Sequence, residues 1–159
     1  MFDQLNQIKA LREDNAHRKY KSSEAEHNKA KKAQFKQEVA LEEYKVWRVA
    51  EKNRRYDSLV GQSLSMQDLK DFNRELLWLD VKQQEMEKMC QQAKQTTQQK
   101  LSEVNTTKSS LDHARLQVKK FKALAEEDKK RLQHLAILEE DNALDEFVVK
   151  KQLGLEDKM

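Results

Sequence analysis

The chain is 159 residues long, 37% charged and 37% hydrophobic, with no proline, two glycines, one cysteine and a formal charge of +3. That profile belongs to long helices rather than to a compact mixed domain, and the lone Cys90 excludes an intrachain disulfide. A sustained apolar stripe, which disordered chains lack, excludes disorder.

Helix one is expected over about residues 3–60. The opening Met1-Phe2-Asp3-Gln4 starts no signal peptide, because no apolar core follows it. Phe2, Leu5, Ile8 and Leu11 then step by threes. Between residues 12 and 34 the candidate seam is small or polar: Ala16, Tyr20, Ser23, His27 and Ala30. Nearer the turn, Phe35, Val39, Val46, Val49, Tyr56 and Val60 fit one frame, with Glu42 and Asn53 as misfits. A second stripe, Gln37, Leu41, Tyr44 and Arg48, lies beside it. Joining these segments predicts a change of phase, with local unwinding of the supercoil. The densest basic stretch, Lys29, Lys31, Lys32 and Lys36, has no interleaved aromatics and no nucleic-acid-reading motif. It suits a solvated helix face with intrahelical ion pairs, so no nucleic-acid partner is expected.

The turn is expected over residues 61–65. Gly61 suits the left-handed position after a helix end. Ser65 followed by Asp68 resembles a capping box, and Leu64 is placed to pack on Leu69 as a hydrophobic staple. A stop and a start this close predict a helical hairpin.

Helix two is expected over residues 66–150, with a short tail at 151–159. From Leu69 to Leu135 a seven-residue repeat runs without a slip through Phe72, Leu76, Leu79, Gln83, Met86, Cys90 and onward to Phe121, Ala125 and Leu132. Spacing of 3.5 residues held this long marks a helix wound around a partner helix. Gln83, Thr97, Lys100 and Thr107 are polar gaps expected to loosen the seam. At 1.5 Å per residue the helices would be on the order of 85 Å and 125 Å long. The fold class expected is therefore all-α: one antiparallel two-helix coiled-coil hairpin over residues 1–159, the second helix longer and its end overhanging.

No residue pattern supports catalysis. Neither glycine belongs to a phosphate-cradling loop. His17, His27, His113 and His134 have no partners at metal-ligand spacing. Asp112 and His113 beside Ser109 and Ser110 splay around a helix and meet no oxyanion hole. No catalytic residue, cofactor or metal is expected. No window approaches the ~20 apolar residues of a membrane span, which points to the cytoplasm.

Apolar surface is in excess at two places. Around the turn, helix two carries Phe72, Leu76, Leu77, Trp78, Leu79 and Val81, and helix one carries Leu41, Tyr44, Val46, Trp47, Val49 and Tyr56. The wide aromatics either flank the seam or form an exposed binding stripe. In the overhang, Leu138, Leu144, Phe147, Val148 and Val149 alternate with Glu139, Glu140, Asp141, Asp145 and Glu146, which calls for a partner protein first, or else a self-associated copy or residues of helix one reaching it through the phase change.

These features resemble the stalk proteins of type III secretion ATPases, the YscO family of injectisomes and its flagellar counterpart FliJ. The flagellar family carries Gln, Leu, Tyr and an aromatic at steps of four, three and four on helix one. Gln37, Leu41 and Tyr44 match, and Arg48 departs. On helix two its pattern is Phe, Leu, Ala and His. Phe72 and Leu76 match, and Leu79 and Gln83 depart. The resemblance implies a non-enzymatic coupling stalk, similar to the rotor coiled coil of the F-type ATPase. Its termini end would enter a hexameric export ATPase, with Phe2, Leu5, Leu138, Asp145, Glu146 and Phe147 as candidate contacts. The eight tetrad positions would face the cytoplasmic domain of the export gate, and some members also handle secretion chaperones. Seam logic, by contrast, buries Phe72, Leu76 and Leu79, and burial is the expectation kept here. The alternative function is a generic coiled-coil scaffold or self-associating adaptor. A secretion chaperone using Trp47 and Trp78 is a third.

Overall fold

The computed structural model describes residues 2–156. Two helices, α1 (Phe2–Leu59) and α2 (Met66–Glu156), pack against each other, with no strand among the described residues. The chain is an all-α helical hairpin with the second helix longer. Neither helix contains a proline, so nothing removes a backbone donor or kinks the ladder.

The turn follows from its residues. Gly61 takes φ +79°, and the Gln62 N–H donates to the Leu59 carbonyl at 3.2 Å. Ser65 and Asp68 then cap α2 reciprocally. The Asp68 N–H donates to Ser65 Oγ at 3.1 Å, and the Ser65 N–H donates to Asp68 Oδ2 at 3.2 Å. Leu64 is half-buried beneath this cap, while Leu69 stays exposed.

The far end of α2 departs from expectation. The helix does not stop near residue 150 but continues through Gly154 to Glu156. A glycine ends a helix by turning left-handed, and Gly61 is the only described glycine that does. Gly154 keeps helical geometry at a cost of about 1 kcal/mol relative to alanine. The expected tail is thus helical over 151–156, and its remainder lies outside the described residues.

By internal contacts the chain divides into two compact units, Arg18–Ser109 and Met1–His17 with Ser110–Met159. In the first, the predicted α2 repeat is the seam: positions 72, 76, 79, 83, 86, 90, 93, 97, 100, 104 and 107 are all buried or half-buried. Facing them, α1 turns inward Tyr20, Ser23, His27, Ala30, Gln34, Gln37, Leu41, Tyr44, Arg48, Glu51, Arg55 and Leu59. Two of the four polar gaps are bridged between the helices, while Thr97 bonds the Ala93 carbonyl of its own helix and Gln83 Oε1 is buried without a partner among the described residues. Ser23 Oγ and Thr107 Oγ1 share a hydrogen bond of 2.7 Å, and Lys100 Nζ reaches Glu26 at 3.1 Å.

This corrects the reading of α1. Phe35, Val39, Val46, Val49 and Val60 lie outside the seam, and Tyr56 stands at its edge with its ring 5.3 Å from that of Phe72; all six are exposed. The inward positions keep alternating steps of three and four from Tyr20 to Arg55. No change of phase occurs, because the small and polar stretch continues straight into Gln37, Leu41 and Tyr44. The apolar frame would have required a jump.

In the second unit α2 turns Leu111, Ala114, Val118, Phe121, Ala125 and Asp128 inward. Lys9 Nζ sits 4.9 Å above the Phe121 ring, and Arg115 Nε reaches Glu13 at 3.9 Å. Ile8 and Leu11 are exposed. Steps of three fall short of a turn and carry them off the contact line. From Arg131 to Gly154 every residue is exposed, including Leu132 and Leu135 of the predicted repeat.

Leu79→Ala removes a side chain only 4% exposed and is expected to cost about 2–3 kcal/mol. Leu77→Ala, at a residue 62% exposed, should change stability by less than about 0.5 kcal/mol. Urea titrations followed by far-UV circular dichroism compare the two.

Candidate partner-binding surfaces

The eight tetrad positions all lie in the seam of the unit Arg18–Ser109, but they do not all face one another: Tyr44 meets Leu79 and Arg48 meets Asp80 beside it, whereas Phe72 meets Tyr56. Leu41, Tyr44, Leu76 and Leu79 are buried, and Gln37, Arg48, Phe72 and Gln83 are half-buried. The heptad expectation for Phe72, Leu76 and Leu79 therefore holds against the exposed alternative. Leu77, Trp78 and Val81 do not replace them in the seam and remain exposed.

Polar bonds lock this region. Tyr44 Oη donates to the Leu79 carbonyl at 2.8 Å across the helices. Desolvation by burial pushes its phenol pKa up, a rise that the nearby Arg48 opposes. Arg48 Nη1 and Lys52 Nζ converge on Asp80 Oδ1 at 2.6 Å and 3.0 Å. The Lys52 hydrogen bond, with the charges of Lys52 and Arg48, holds the Asp80 carboxyl below its ordinary pKa. One turn on, Arg54 and Arg55 bond Glu51 and hold its pKa at about 2, while Arg55 reaches across to Glu75 at 3.4 Å. Positions 48, 51 and 55 of the α1 seam are thus ionic, and their charges pair along the edge.

What this leaves accessible lies beside and behind the tetrads. The aromatics divide between the two expectations. Tyr44 is an interior seam residue, whereas Trp47 tilts against it at 5.5 Å between centroids with about half its surface free. Trp78 is 66% exposed. It forms an open groove of about 590 Å³ with Leu77, Val81, Arg55, Arg74 and Glu75. The run Leu76-Leu77-Trp78-Leu79 signalled more apolar side chains than one seam holds, yet could not say which would stay outside.

The termini end belongs to the other unit. Phe2 lines a groove of about 810 Å³ with Asn6, Ala125, Asp128, Leu132 and Ala136. Leu5 is half-buried. Leu138, Asp145, Glu146 and Phe147 lie farther along α2, exposed and outside that groove. At 100° per residue Ile137, Leu144 and Val148 share one side of this segment, and Leu135, Val149 and Leu153 share the opposite side. The apolar surface therefore faces two ways, with Glu140 and Asp145 between and Glu139 and Glu146 on the Leu135 side.

Among the described residues no group of His, Cys, Asp or Glu could hold a metal ion, and no helix is long and apolar enough to cross a membrane. Cys90 is half-buried in the seam, where desolvation raises its thiol pKa and keeps it protonated.

Tyr44→Phe should lower stability by about 1 kcal/mol through loss of the bond to Leu79. Asp80→Asn tests the charge cluster. A carboxyl with a depressed folded pKa stabilises above its unfolded pKa, and that contribution is lost as pH falls through the folded value. The variant should be less stable than wild type at neutral pH. The difference should shrink once pH drops below 3.8, the ordinary value. Urea midpoints measured from pH 7 to pH 2 read this directly.

The family model for the type III secretion protein YscO matches residues 2–150. No curated protein and no solved structure gives a significant match. A match over nearly the whole hairpin settles the family: the chain belongs to the YscO family of type III secretion proteins.

Proposed function

We propose that this type III secretion protein is a coupling stalk that works by contact rather than by turnover, joining the hexameric export ATPase to the cytoplasmic domain of the export gate. The observation that carries the reading is the unpartnered end of α2. A helix apolar on one side rests against one neighbour, but a helix apolar on two sides calls for enclosure. Residues 135–153 are such a segment, exposed throughout and acidic between the apolar residues. A ring with an apolar, basic-rimmed opening meets both requirements. In this reading Leu138, Phe147, Asp145 and Glu146 enter the ATPase, and Phe2 and Leu5 fix where the paired region ends.

The gate contact is assigned to the turn end. The tetrad residues Gln37, Leu41, Tyr44, Arg48, Phe72, Leu76, Leu79 and Gln83 serve it from within. They hold the two helices in register beneath Trp47, Trp78 and Val81, which make the contact. Export chaperones use the same apolar patch when the gate does not. The protein acts at the cytoplasmic face of the inner membrane, without inserting into it.

The test is co-purification with the export ATPase, with hydrolysis measured in parallel. Asp145→Lys with Glu146→Lys should weaken the complex by about tenfold or more, since like charges set against a basic rim cost several kcal/mol. The hairpin's own melting should not change. ATPase assembly and hydrolysis that ignore the added protein would sink the proposal.

A further inference from the structure

The outer face of α1 is the most ordered feature that the hairpin leaves unused. Phe35, Val39, Glu42, Val46, Val49, Asn53, Tyr56 and Val60 recur at alternating steps of four and three. Phe35 is 67% exposed, Val46 72% and Val60 79%. A heptad stripe is the signature of helix-to-helix packing. This one is largely exposed, although the Tyr56 ring also meets the Phe72 ring of α2 edge-on at 5.3 Å between centroids. It lies wholly within the unit Arg18–Ser109.

We propose that this face is a self-recognition surface through which two copies of the chain pair antiparallel along α1. The stripe is its own mirror image. Antiparallel pairing about its midpoint sets Phe35 against the other copy's Val60, Val39 against Tyr56, and Val46 against Val49. The two polar interruptions then meet each other, Glu42 beside Asn53, so the carboxylate gains an amide donor. Parallel pairing would instead stack Glu42 on Glu42, a like-charge contact that disfavours it. Along one edge Lys36 falls near Asp57 of the second copy, with opposite charges. Along the other, Lys45 approaches Lys52, but each already has an acid in its own chain: Lys45 pairs with Glu42 at 3.4 Å and Lys52 with Asp80 at 3.0 Å. Two aromatics and four valines from each copy approach the ~1,200 Å² of buried surface at which specific pairing becomes stable. The contact is isologous, as two-fold dimers require. It leaves the far end of α2 free and does not rest on the coupling role proposed above.

Sedimentation equilibrium of the full chain should show a reversible dimer between micromolar and millimolar concentration. Val46→Glu with Val49→Glu should weaken it ~100-fold or more, since each introduced carboxylate faces the other across the pair. Far-UV circular dichroism should be unchanged, because both residues are exposed in the single chain. On a Cys90→Ala background, Val46→Cys and Val49→Cys proteins should cross-link with each other in preference to themselves. A monomer at every concentration would overturn the proposal, as would a dimer indifferent to the double variant. Preferential 46-to-46 cross-links would overturn the antiparallel arrangement. Loss of binding to another protein by a strictly monomeric chain would give the stripe to a foreign helix, and the self-recognition assignment would fail.

Discussion

A helix that carries two stripes on opposite sides can bury only one of them against a single neighbour. In this hairpin the choice falls on the more polar stripe of α1. Its inward line runs through Tyr20, Ser23, His27 and Ala30 into Gln37, Leu41, Tyr44 and Arg48, while Phe35 and the valines stay outside. Continuity explains this. The α2 repeat holds one phase, so a partner helix must hold one phase too, and only the polar line does so through the small-residue stretch. The apolar line begins at Phe35 and has no counterpart before it.

A seam of this kind relies on its polar groups being paired. Ser23 with Thr107 and Tyr44 with the Leu79 carbonyl satisfy groups that burial withdraws from water, whereas Arg48 Nε and Gln83 Oε1 are buried without partners among the described residues. Near the turn the line becomes ionic. Asp80 draws both Arg48 and Lys52, and Glu51 draws Arg54 and Arg55. Exposed ion pairs contribute little singly, so the main effect of those that cross between helices is on register: the Asp80 pairs and Arg55 with Glu75 are satisfied at one alignment and lost when it slips, whereas the Glu51 pairs lie within α1. Leu41, Leu76 and Leu79 supply the apolar anchor between them.

The two surfaces left open differ in chemistry, as suits two kinds of partner. The face of α1 from Phe35 to Val60 is a single stripe with few charges, matched to one helix. The end of α2 beyond Arg131 is exposed and carries apolar residues on two opposite sides, with acidic residues among them. Membership of the YscO family gives both surfaces a setting in protein export. The residues that resemble the flagellar gate-binding pattern sit inside the seam, so any effect of changing them passes first through the hairpin's own packing.

Much of the architecture was legible in the residues alone. The repeat read from Leu69 to Leu135 placed the α2 seam, although Leu69 at its start and Leu132 and Leu135 at its end are exposed, and Gly61 with the Ser65–Asp68 cap placed the turn. Both depend on local spacing and local backbone chemistry. The overhang followed from unequal helix lengths, although Gly154 did not end α2, because a glycine's conformation is set by its surroundings. What only the tertiary structure decided was which face of α1 turns inward, and hence that Tyr44 is interior while Trp47, Trp78 and Val46 are outside. Periodicity along one helix defines its faces, but the assignment of a face to a partner depends on residues far away in the chain that must keep the same phase.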